Sequence, residues 1–387
     1  VDELPRFQGG CLWDWHDKAL LHTNAEGEAF WAYGGDFGGD FDYDREHEDP
    51  QMCCNGIVGP DLEPHPGAFE VKKVQAPVSV SAASEEDILA GRFAVWNKHH
   101  TVDLSDLDIE WVLTADGLVI QSGSLAPMDL GPDLKGQLDI PFKLPESLTP
   151  GAEYHLTVSF VLAADTPWAS KGHQVAWDQF RLPLAVPPKT ALTLNGMPDV
   201  VMTDTGDSVM VEGPDFRVVF DRAQGAITEY VAQGQNLITT GPAENYYRAP
   251  TDIDLLMGNP PANVHKWHAA GLDRLVRTVT LFEATKVASQ MVQVRIGARL
   301  CAEDQPTTGI DSEIVYRVFG SGEVALENKV SIDERMPFVP RVGLELALPA
   351  ELENLTWFGR GPHENYVDRK MGAAVGLHES TVAEQFT

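Results

Sequence analysis

The chain has 387 residues and carries 28 Lys and Arg against 58 Asp and Glu, a formal net charge of -30. A chain of this length exceeds what one hydrophobic core normally serves, so we expect two or three domains. The negative charge repels polyphosphates and anionic lipids, which argues against nucleic-acid and membrane partners. No apolar run approaches the roughly 20 residues that span a bilayer, so no membrane segment is predicted.

The amino terminus and the cysteines bear on the cellular compartment. The first ten residues, VDELPRFQGG, lack the basic and then apolar pattern of an export signal. The four cysteines, at 11, 53, 54 and 301, are too few and too unevenly spaced for a disulfide framework, and no CxxC pair indicates zinc. The sequence therefore predicts reduced thiols and a cytoplasmic location. Because the first residue is Val, we also expect the chain to be a piece of a longer protein.

The first two segments of the chain differ in composition and in the pattern of their apolar residues. Residues 1–78 are rich in Gly, Trp and Asp, with few apolar runs, so we predict that this part cannot close a core alone. From residue 79, short alternating runs predict a small β-sandwich, with Asp116-Gly117 as a two-residue hairpin turn. The predicted strands of this sandwich are 93–97, 107–113, 118–123, 154–162 and 175–182.

A proline-rich segment separates this sandwich from a second β region. The sequence LPLAVPPK, residues 182–189, holds three prolines and is predicted to be a linker, because proline cannot continue a sheet. Further alternating runs beyond it predict a larger antiparallel β region, and helical periodicity is scarce. The fold class is therefore predicted to be mainly β. The predicted strands of the second region include 216–220, 278–282, 291–296, 312–319 and 324–332.

Two stretches of the first segment stand out as candidate sites. In GGCLWDWHD, residues 9–17, an extended chain would place Trp13 and Trp15 on one face. From these nine residues alone core packing is favoured, because most tryptophans are mainly buried. The acidic patch at residues 34–51 is not an EF-hand, since Arg45 and Gln51 stand where that loop needs Gly and Glu. It predicts a solvated acidic loop.

Six motifs follow one another along nearly the whole chain. They are FQGGCLWDWHDKAL, AYGGDFGG, CNGIVGPDLEPHPGAFEVKK, WVLTADGLVIQSG, YYRAPTDID and WFGRGPHENYVDRK. In this order they resemble the carboxyl-terminal part of a long-form β-galactosidase of glycoside hydrolase family 2. The resemblance implies the end of a (β/α)8 barrel at 1–78, an immunoglobulin-like β-sandwich at 79–187, and a large, incomplete antiparallel β-sandwich at 188–387.

The resemblance also implies roles for three residues. Trp13 would line the galactose pocket, where a flat and rigid indole can stack on the C–H face of the sugar, whereas Trp15 keeps the core interpretation. The backbone carbonyl of Met52 and the side chain of Asn55 would bind a sodium ion that touches the 6-hydroxyl of the sugar. Asn55 would thus serve both substrate and metal. Met52 departs from the Phe usual in the family, and a plain Asn-Gly turn is the alternative for Asn55.

In the family both catalytic glutamates and the principal magnesium ligands precede these motifs, so the resemblance implies that this chain contains no catalytic residue. It implies a parent enzyme that hydrolyses terminal non-reducing β-D-galactosides such as lactose with retention of configuration. That enzyme would be a homo-oligomer that uses magnesium and sodium, with a mobile loop at 249–263 that reaches the active site. The alternative from another class is a non-catalytic carbohydrate-binding or interaction module.

Overall fold

A computed structural model describes residues 6, 9–33, 36, 54–189, 191–251, 254 and 262–385. The chain forms two compact units, which are treated separately below. Unit 1 comprises Val1–Thr190 together with Asn354–Thr387, and unit 2 comprises Ala191–Glu353. In the part of the chain that the structure describes, strands dominate and every pair of strands is antiparallel, which confirms the mainly β fold class. The sequence boundaries at 78 and 187 stay predictions.

In its described residues, the first segment of unit 1 has little regular structure and few buried apolar side chains. It forms the antiparallel hairpin β1–β2 (Leu20–Thr23 and Ala29–Ala32) and the helix α1 (Pro66–Val74). Among the described residues from 9 to 75, the buried apolar side chains are Ala32 and Val58. This agrees with the prediction that the segment cannot close a core alone. The large apolar side chains that it exposes are Leu12, Trp13, Trp15, Leu20, Leu21, Phe30, Trp31, Tyr33, Leu62, Phe69 and Val74.

A β-sandwich follows in unit 1. Three strands form one sheet in the order β3-β4-β7, and four strands form the other in the order β6-β5-β8-β9. Buried apolar side chains of both sheets form one continuous core, because alternate residues of each strand point to the same face. The elements are β3 Val78–Ser81, helix α2 Glu85–Ala90, β4 Arg92–Asn97, β5 Leu107–Ala115, β6 Leu118–Leu125, β7 Lys135–Asp139, β8 Tyr154–Leu162 and β9 Gln174–Arg181.

The predicted turn at Asp116-Gly117 is confirmed. Both residues have positive φ, 47° and 81°, and they join β5 to β6 as a two-residue hairpin. This is the conformation that a tight hairpin turn with right-handed strand twist requires, and Asp-Gly adopts it readily. The backbone N–H of Glu153 donates to Asp116 Oδ1 at 2.8 Å, which ties the turn to the segment before β8.

The segment 182–189 contains no strand or helix, as its prolines predict, but it is not a free tether. Leu182 is 3% exposed, and Leu184 and Val186 pack against the sandwich core. The N–H of Leu182 donates to the carbonyl of Tyr154 at 2.8 Å, and Pro187 accepts from Gly151 at 2.8 Å. The segment is irregular and is packed on the sandwich as far as Pro187, and unit 2 begins at Ala191 soon after it, so its role as a linker stays a prediction.

A hairpin from the end of the chain completes unit 1. Its strands are β21 (Asn354–Gly361) and β22 (Ala374–Thr381). The side chain of Gln179 in β9 makes two hydrogen bonds to the backbone of Val375, one donated at 2.8 Å and one accepted at 2.9 Å. The hairpin thus lies with the first sandwich, although the sequence analysis assigned these residues to the segment 188–387.

Unit 2 contains two larger antiparallel sheets and one small one. Five strands pair in the order β10-β11-β12-β13-β14, four pair as β16-β17-β18-β19, and β15 pairs with β20. Two clusters of buried apolar side chains form its core, one of them around the fully buried Trp267. The elements are β10 Val201–Asp204, β11 Ser208–Glu212, β12 Phe216–Asp221, β13 Ala226–Ala232, β14 Gln235–Asn236, β15 Thr240–Asn245, helix α3 Asn263–Ala269, β16 Val276–Ala288, β17 Met291–Cys301, β18 Ile310–Phe319, β19 Val324–Ile332 and β20 Gly343–Ala347.

A pair of glycine substitutions tests the packing of the final hairpin on the sandwich. Gly117 and Gly172 have nearly equal φ, 81° and 83°, but a Cβ on Gly117 would overlap the backbone nitrogen of Leu377, whereas Gly172 faces open space. Gly172→Ala is expected to cost about 1–2 kcal/mol through its φ alone. Gly117→Ala is expected to cost at least about 1 kcal/mol more, because the hairpin must move.

Urea unfolding followed by tryptophan fluorescence measures this difference, since every tryptophan except Trp267 lies in unit 1. Equal losses of unfolding free energy in the two variants would show that the hairpin does not pack against the Asp116-Gly117 turn.

Candidate functional site

Trp13 and Asn55 are 42 positions apart in sequence, and the structure brings them together. The N–H of Asp14 donates to the carbonyl of Asn55 at 3.1 Å, and Asn55 Nδ2 donates to the carbonyl of Trp13 at 3.4 Å. Trp13 is 77% exposed, so its indole is accessible in this chain. The two residues that the sequence analysis proposed for one sugar site are therefore neighbours. Their roles in binding stay predictions.

A short ladder of backbone hydrogen bonds holds the two segments side by side. The N–H groups of Ile57 and Val58 both donate to Trp15 O, at 3.0 and 3.1 Å, and Asp17 N donates to Val58 O at 3.0 Å. His16 and Val58 form a parallel bridge. Parallel pairing of distant segments is the arrangement of neighbouring strands in a (β/α)8 barrel.

Gly56 permits the close approach of these segments. A Cβ at this position would overlap the backbone of His16 and Asp17, so any other residue would push the segments apart. The φ of Gly56 lies outside the left-handed region, and no turn is assigned at Asn55 or Gly56. The alternative that Asn55-Gly56 is a plain turn is therefore wrong. The glycine is needed for contact between backbones.

Asp17 is a functional candidate that the sequence analysis missed. It is 9% exposed, its Oδ1 accepts from the N–H of Gly56 at 2.7 Å, and its Oδ2 lies 2.9 Å from His65 Nε2. His65 immediately precedes α1. Two polar residues 48 positions apart give no local pattern, and only the pairing of the two segments reveals that they meet.

The remaining predictions concern Trp15, the sodium ligand Met52, the acidic patch and the loop at 249–263. Trp15 is 64% exposed, so the core prediction for it is wrong in this chain, because nothing in the described segment covers its ring. Met52, almost all of the acidic patch at 34–51 and most of the loop at 249–263 lie outside the described residues. Among the described residues no group of three His, Cys, Asp or Glu side chains could hold a metal ion.

The donor chemistry of Asn55 fits the sodium ion that the resemblance implies. Hard cations take oxygen ligands, including Asn side-chain carbonyls. Asn55 Nδ2 lies 3.4 Å from Trp13 O, a long hydrogen bond that directs the amide nitrogen toward Trp13. The side-chain oxygen of Asn55 has the chemistry of one ligand, whereas the second predicted ligand, the carbonyl of Met52, is not among the described residues.

In unit 2, the described residues at the start of the segment 249–263 form a buried ionic anchor. Asp254 is 5% exposed, and its Oδ2 accepts from Arg248 Nη1 at 2.6 Å and from the N–H and hydroxyl of Thr251, both at 2.9 Å. Burial raises the pKa of Asp254, but the hydrogen bonds from Arg248 and Thr251 outweigh it and hold the pKa below its ordinary value. The motif YYRAPTDID therefore contains a structural anchor.

This anchor predicts a pH dependence of the stability of unit 2. Because folding lowers the pKa of Asp254, the carboxylate contributes stability that is complete above the ordinary pKa of 3.8 and is lost as the pH falls through the folded value. Asp254→Asn should lower the melting temperature at about pH 6, and the gap to wild type should narrow by about pH 3.

The control for this experiment is Asp304→Asn, which breaks the more exposed ion pair to Arg274 and should have a smaller effect. A gap for Asp254→Asn that is constant with pH would contradict the assigned role of the carboxylate.

The motif WFGRGPHENYVDRK contacts the helix that follows the candidate site. His363 stacks on Phe69 of α1 with ring centroids 4.4 Å apart, and the N–H of Gly372 donates to Glu70 Oε2 at 2.6 Å. Burial, with a smaller contribution from Arg369, lowers the pKa of His363, which favours the neutral ring in this contact. The segment between the strands of the final hairpin is therefore docked on α1, which begins one residue after His65.

Comparison with known proteins gives three family matches in chain order. Residues 1–80 match the TIM barrel domain of glycosyl hydrolases family 2, residues 93–183 match domain 4 of β-galactosidase, and residues 212–387 match the β-galactosidase small chain. These matches identify the chain as part of a family 2 glycoside hydrolase. Within that family it belongs to the β-galactosidases, as a carboxyl-terminal portion.

Relatives named β-galactosidase agree over the whole chain. The proteins of Priestia megaterium, Psychromonas ingrahamii and Vibrio cholerae are 35%, 33% and 33% identical over 100% of this chain, which corresponds to 35%, 37% and 36% of their own lengths. The chain thus spans about a third of the length of the curated relatives it matches. Among its described residues, no helix has both the length and the apolar character needed to cross a bilayer.

Proposed function

We propose that this chain is part of a longer β-galactosidase that hydrolyses terminal non-reducing β-D-galactosides with retention of configuration. The observation that carries the proposal is the exposed Trp13 held beside Asn55, with both residues inside the segment that matches the family 2 barrel domain. The chain contributes binding of the sugar to this enzyme. The reacting carboxyl groups come from the part of the barrel outside these 387 residues.

The indole of Trp13 suits the C–H face of a pyranose. It is flat, rigid and accessible, so stacking a sugar on it removes apolar area from water at little cost in side-chain entropy. Asn55 contacts the backbone of Trp13 through its side chain and would offer a polar contact to the hydroxyls of the same sugar. One aromatic platform with a few fixed polar groups is the usual composition of a small-ligand site.

The described carboxylates closest to Trp13 in sequence, Asp14 and Asp17, agree with the proposal that the reacting groups lie outside this chain. Retaining glycosidases need a nucleophilic carboxylate and an acid/base carboxyl about 5 Å apart. Asp14 pairs with Lys18, and Asp17 is engaged by Gly56 and His65. Both side chains are occupied in interactions within the segment, and neither forms a pair of carboxyl groups across an open site.

The remaining parts of the proposal rest on the family resemblance. The longer protein would bind magnesium through residues outside this chain and sodium through Asn55 and Met52, and it would be a cytoplasmic homo-oligomer. The net charge of -30 repels polyanions, whereas it does not repel an uncharged sugar.

The test compares two proteins in a host without its own β-galactosidase. One is the 387-residue chain, and the other is the product of the complete reading frame that contains it. We expect the complete product to hydrolyse a chromogenic β-galactoside and the 387-residue chain to give only background, because binding groups without acid, base or nucleophile do not lower the barrier.

Copurifying turnover by the 387-residue chain would place a catalytic carboxyl pair within it and contradict the proposal. Galactoside binding without hydrolysis by the complete product would favour the alternative of a carbohydrate-binding module.

Substitution of each tryptophan in turn tests the sugar platform. In the complete product, Trp13→Ala should weaken galactoside binding about tenfold, on the scale of a lost aromatic contact near 1.4 kcal/mol, while the melting temperature changes little. Trp15→Ala removes an equal aromatic area two residues away and serves as the matched control. The Michaelis constant and the melting temperature are measured for both variants. Equal weakening of binding by both variants would remove the specific assignment of Trp13.

A further inference from the structure

We propose that Asp17 is a positioning residue for the sugar site: its buried carboxylate fixes the Asn55-Gly56 peptide and thereby holds Asn55 beside Trp13. The inference deepens the proposed function and rests on it for the identity of the sugar. The geometry does not depend on which reaction the protein catalyses: the buried carboxylate of Asp17 contacts both Gly56 and His65.

The peptide group between Asn55 and Gly56 is held at both of its polar ends. Its carbonyl, which belongs to Asn55, accepts from Asp14 N at 3.1 Å, and its N–H, which belongs to Gly56, donates to Asp17 Oδ1 at 2.7 Å. Because a peptide group is planar, holding both ends fixes the plane that contains the Cα of Asn55, and so fixes the backbone position from which its side chain projects. Asp17 therefore acts on Asn55 without touching its side chain.

The backbone ladder provides no acceptor for the N–H of Gly56, and Asp17 provides one. Trp15 O already receives the N–H groups of both Ile57 and Val58. Among the described backbone hydrogen bonds, none takes the N–H of Gly56, and the carboxylate of Asp17 accepts it instead. A hydrogen bond to an ionised acceptor is also shorter and stronger than one to a backbone carbonyl.

Asp17 is held in place by hydrogen bonds of both its backbone and its side chain. Its N–H donates to Val58 O at 3.0 Å, its Oδ2 meets His65 Nε2 at 2.9 Å, and His65 N donates to Ile57 O at 3.0 Å. The carboxylate is thus held between the two segments and the residue before α1. Its removal would leave the N–H of the half-buried Gly56 without its side-chain acceptor.

The experiment uses the product of the complete reading frame with three variants. Asp17→Ala removes both side-chain hydrogen bonds. Asp17→Asn can restore them, because its oxygen accepts from Gly56 and its NH2 can donate to a neutral His65 Nε2. Asp103→Ala is the matched control, since Asp103 also accepts two hydrogen bonds, from the N–H and the hydroxyl of Ser105, but on a sandwich loop.

Five quantities are measured for each variant: KM and kcat with a chromogenic galactoside, the Kd of a non-hydrolysable thiogalactoside, hydrogen exchange of the Gly56 amide, and the melting temperature. For Asp17→Ala we expect KM and Kd to rise about tenfold, with kcat changed less than about threefold and faster exchange at Gly56. Asp17→Asn should stay within about threefold of wild type in all constants, and Asp103→Ala should match wild type.

Unchanged KM and Kd in Asp17→Ala would overturn the inference, as would equal losses in Asp17→Asn or in Asp103→Ala. If Asp17→Ala does not fold, Asp17→Ser takes its place, since a serine hydroxyl is too short to reach both Gly56 and His65. If the unmodified protein hydrolyses no galactoside, the proposed function fails, while hydrogen exchange at Gly56 and thiogalactoside binding still decide the role of Asp17.

Discussion

The candidate site depends on the close approach of two backbone segments, which Gly56 makes sterically possible. A side chain there would overlap the backbone of His16 and Asp17. Hydrogen bonds then join the first segment, at Trp15 and Asp17, to the second segment, at residues 55–58. This pairing makes Trp13 and Asn55 neighbours. The site is therefore built from pairing in the backbone, and its exposed indole is a consequence of where that pairing places Trp13.

The described part of this segment has almost no core. Among the described residues from 9 to 75 only Ala32 and Val58 are buried apolar side chains, while many large apolar groups are exposed, and such a concentration normally marks an interaction surface. The first sandwich, in contrast, has one continuous core, and unit 2 has two clusters of buried apolar side chains. Because the chain spans about a third of the length of its relatives, the exposed apolar surface agrees with the proposal that further barrel residues belong to the protein.

Prediction from sequence succeeded where the relevant pattern is local. The strand at 154–162 was predicted with the observed bounds, and Asp116-Gly117 joins two strands as expected, because alternation and turn chemistry are properties of neighbouring residues. The sequence analysis missed what depends on distant contacts. It gave no sign that the final hairpin lies against Gln179, that Leu182 is buried in the first core, or that Asp17 meets Gly56. Trp13 and Asn55 were proposed from the family resemblance rather than from spacing, and their roles stay predictions.

The central claim is that this chain provides the sugar-binding surface of a longer β-galactosidase. An experimental structure of the complete product with a non-hydrolysable thiogalactoside bound tests it most directly. The account predicts the C–H face of the galactose ring against the indole of Trp13, at about 4 Å, with the side chain of Asn55 directed toward the same sugar. A sugar bound away from both residues, or Trp13 buried in the barrel core, would contradict it.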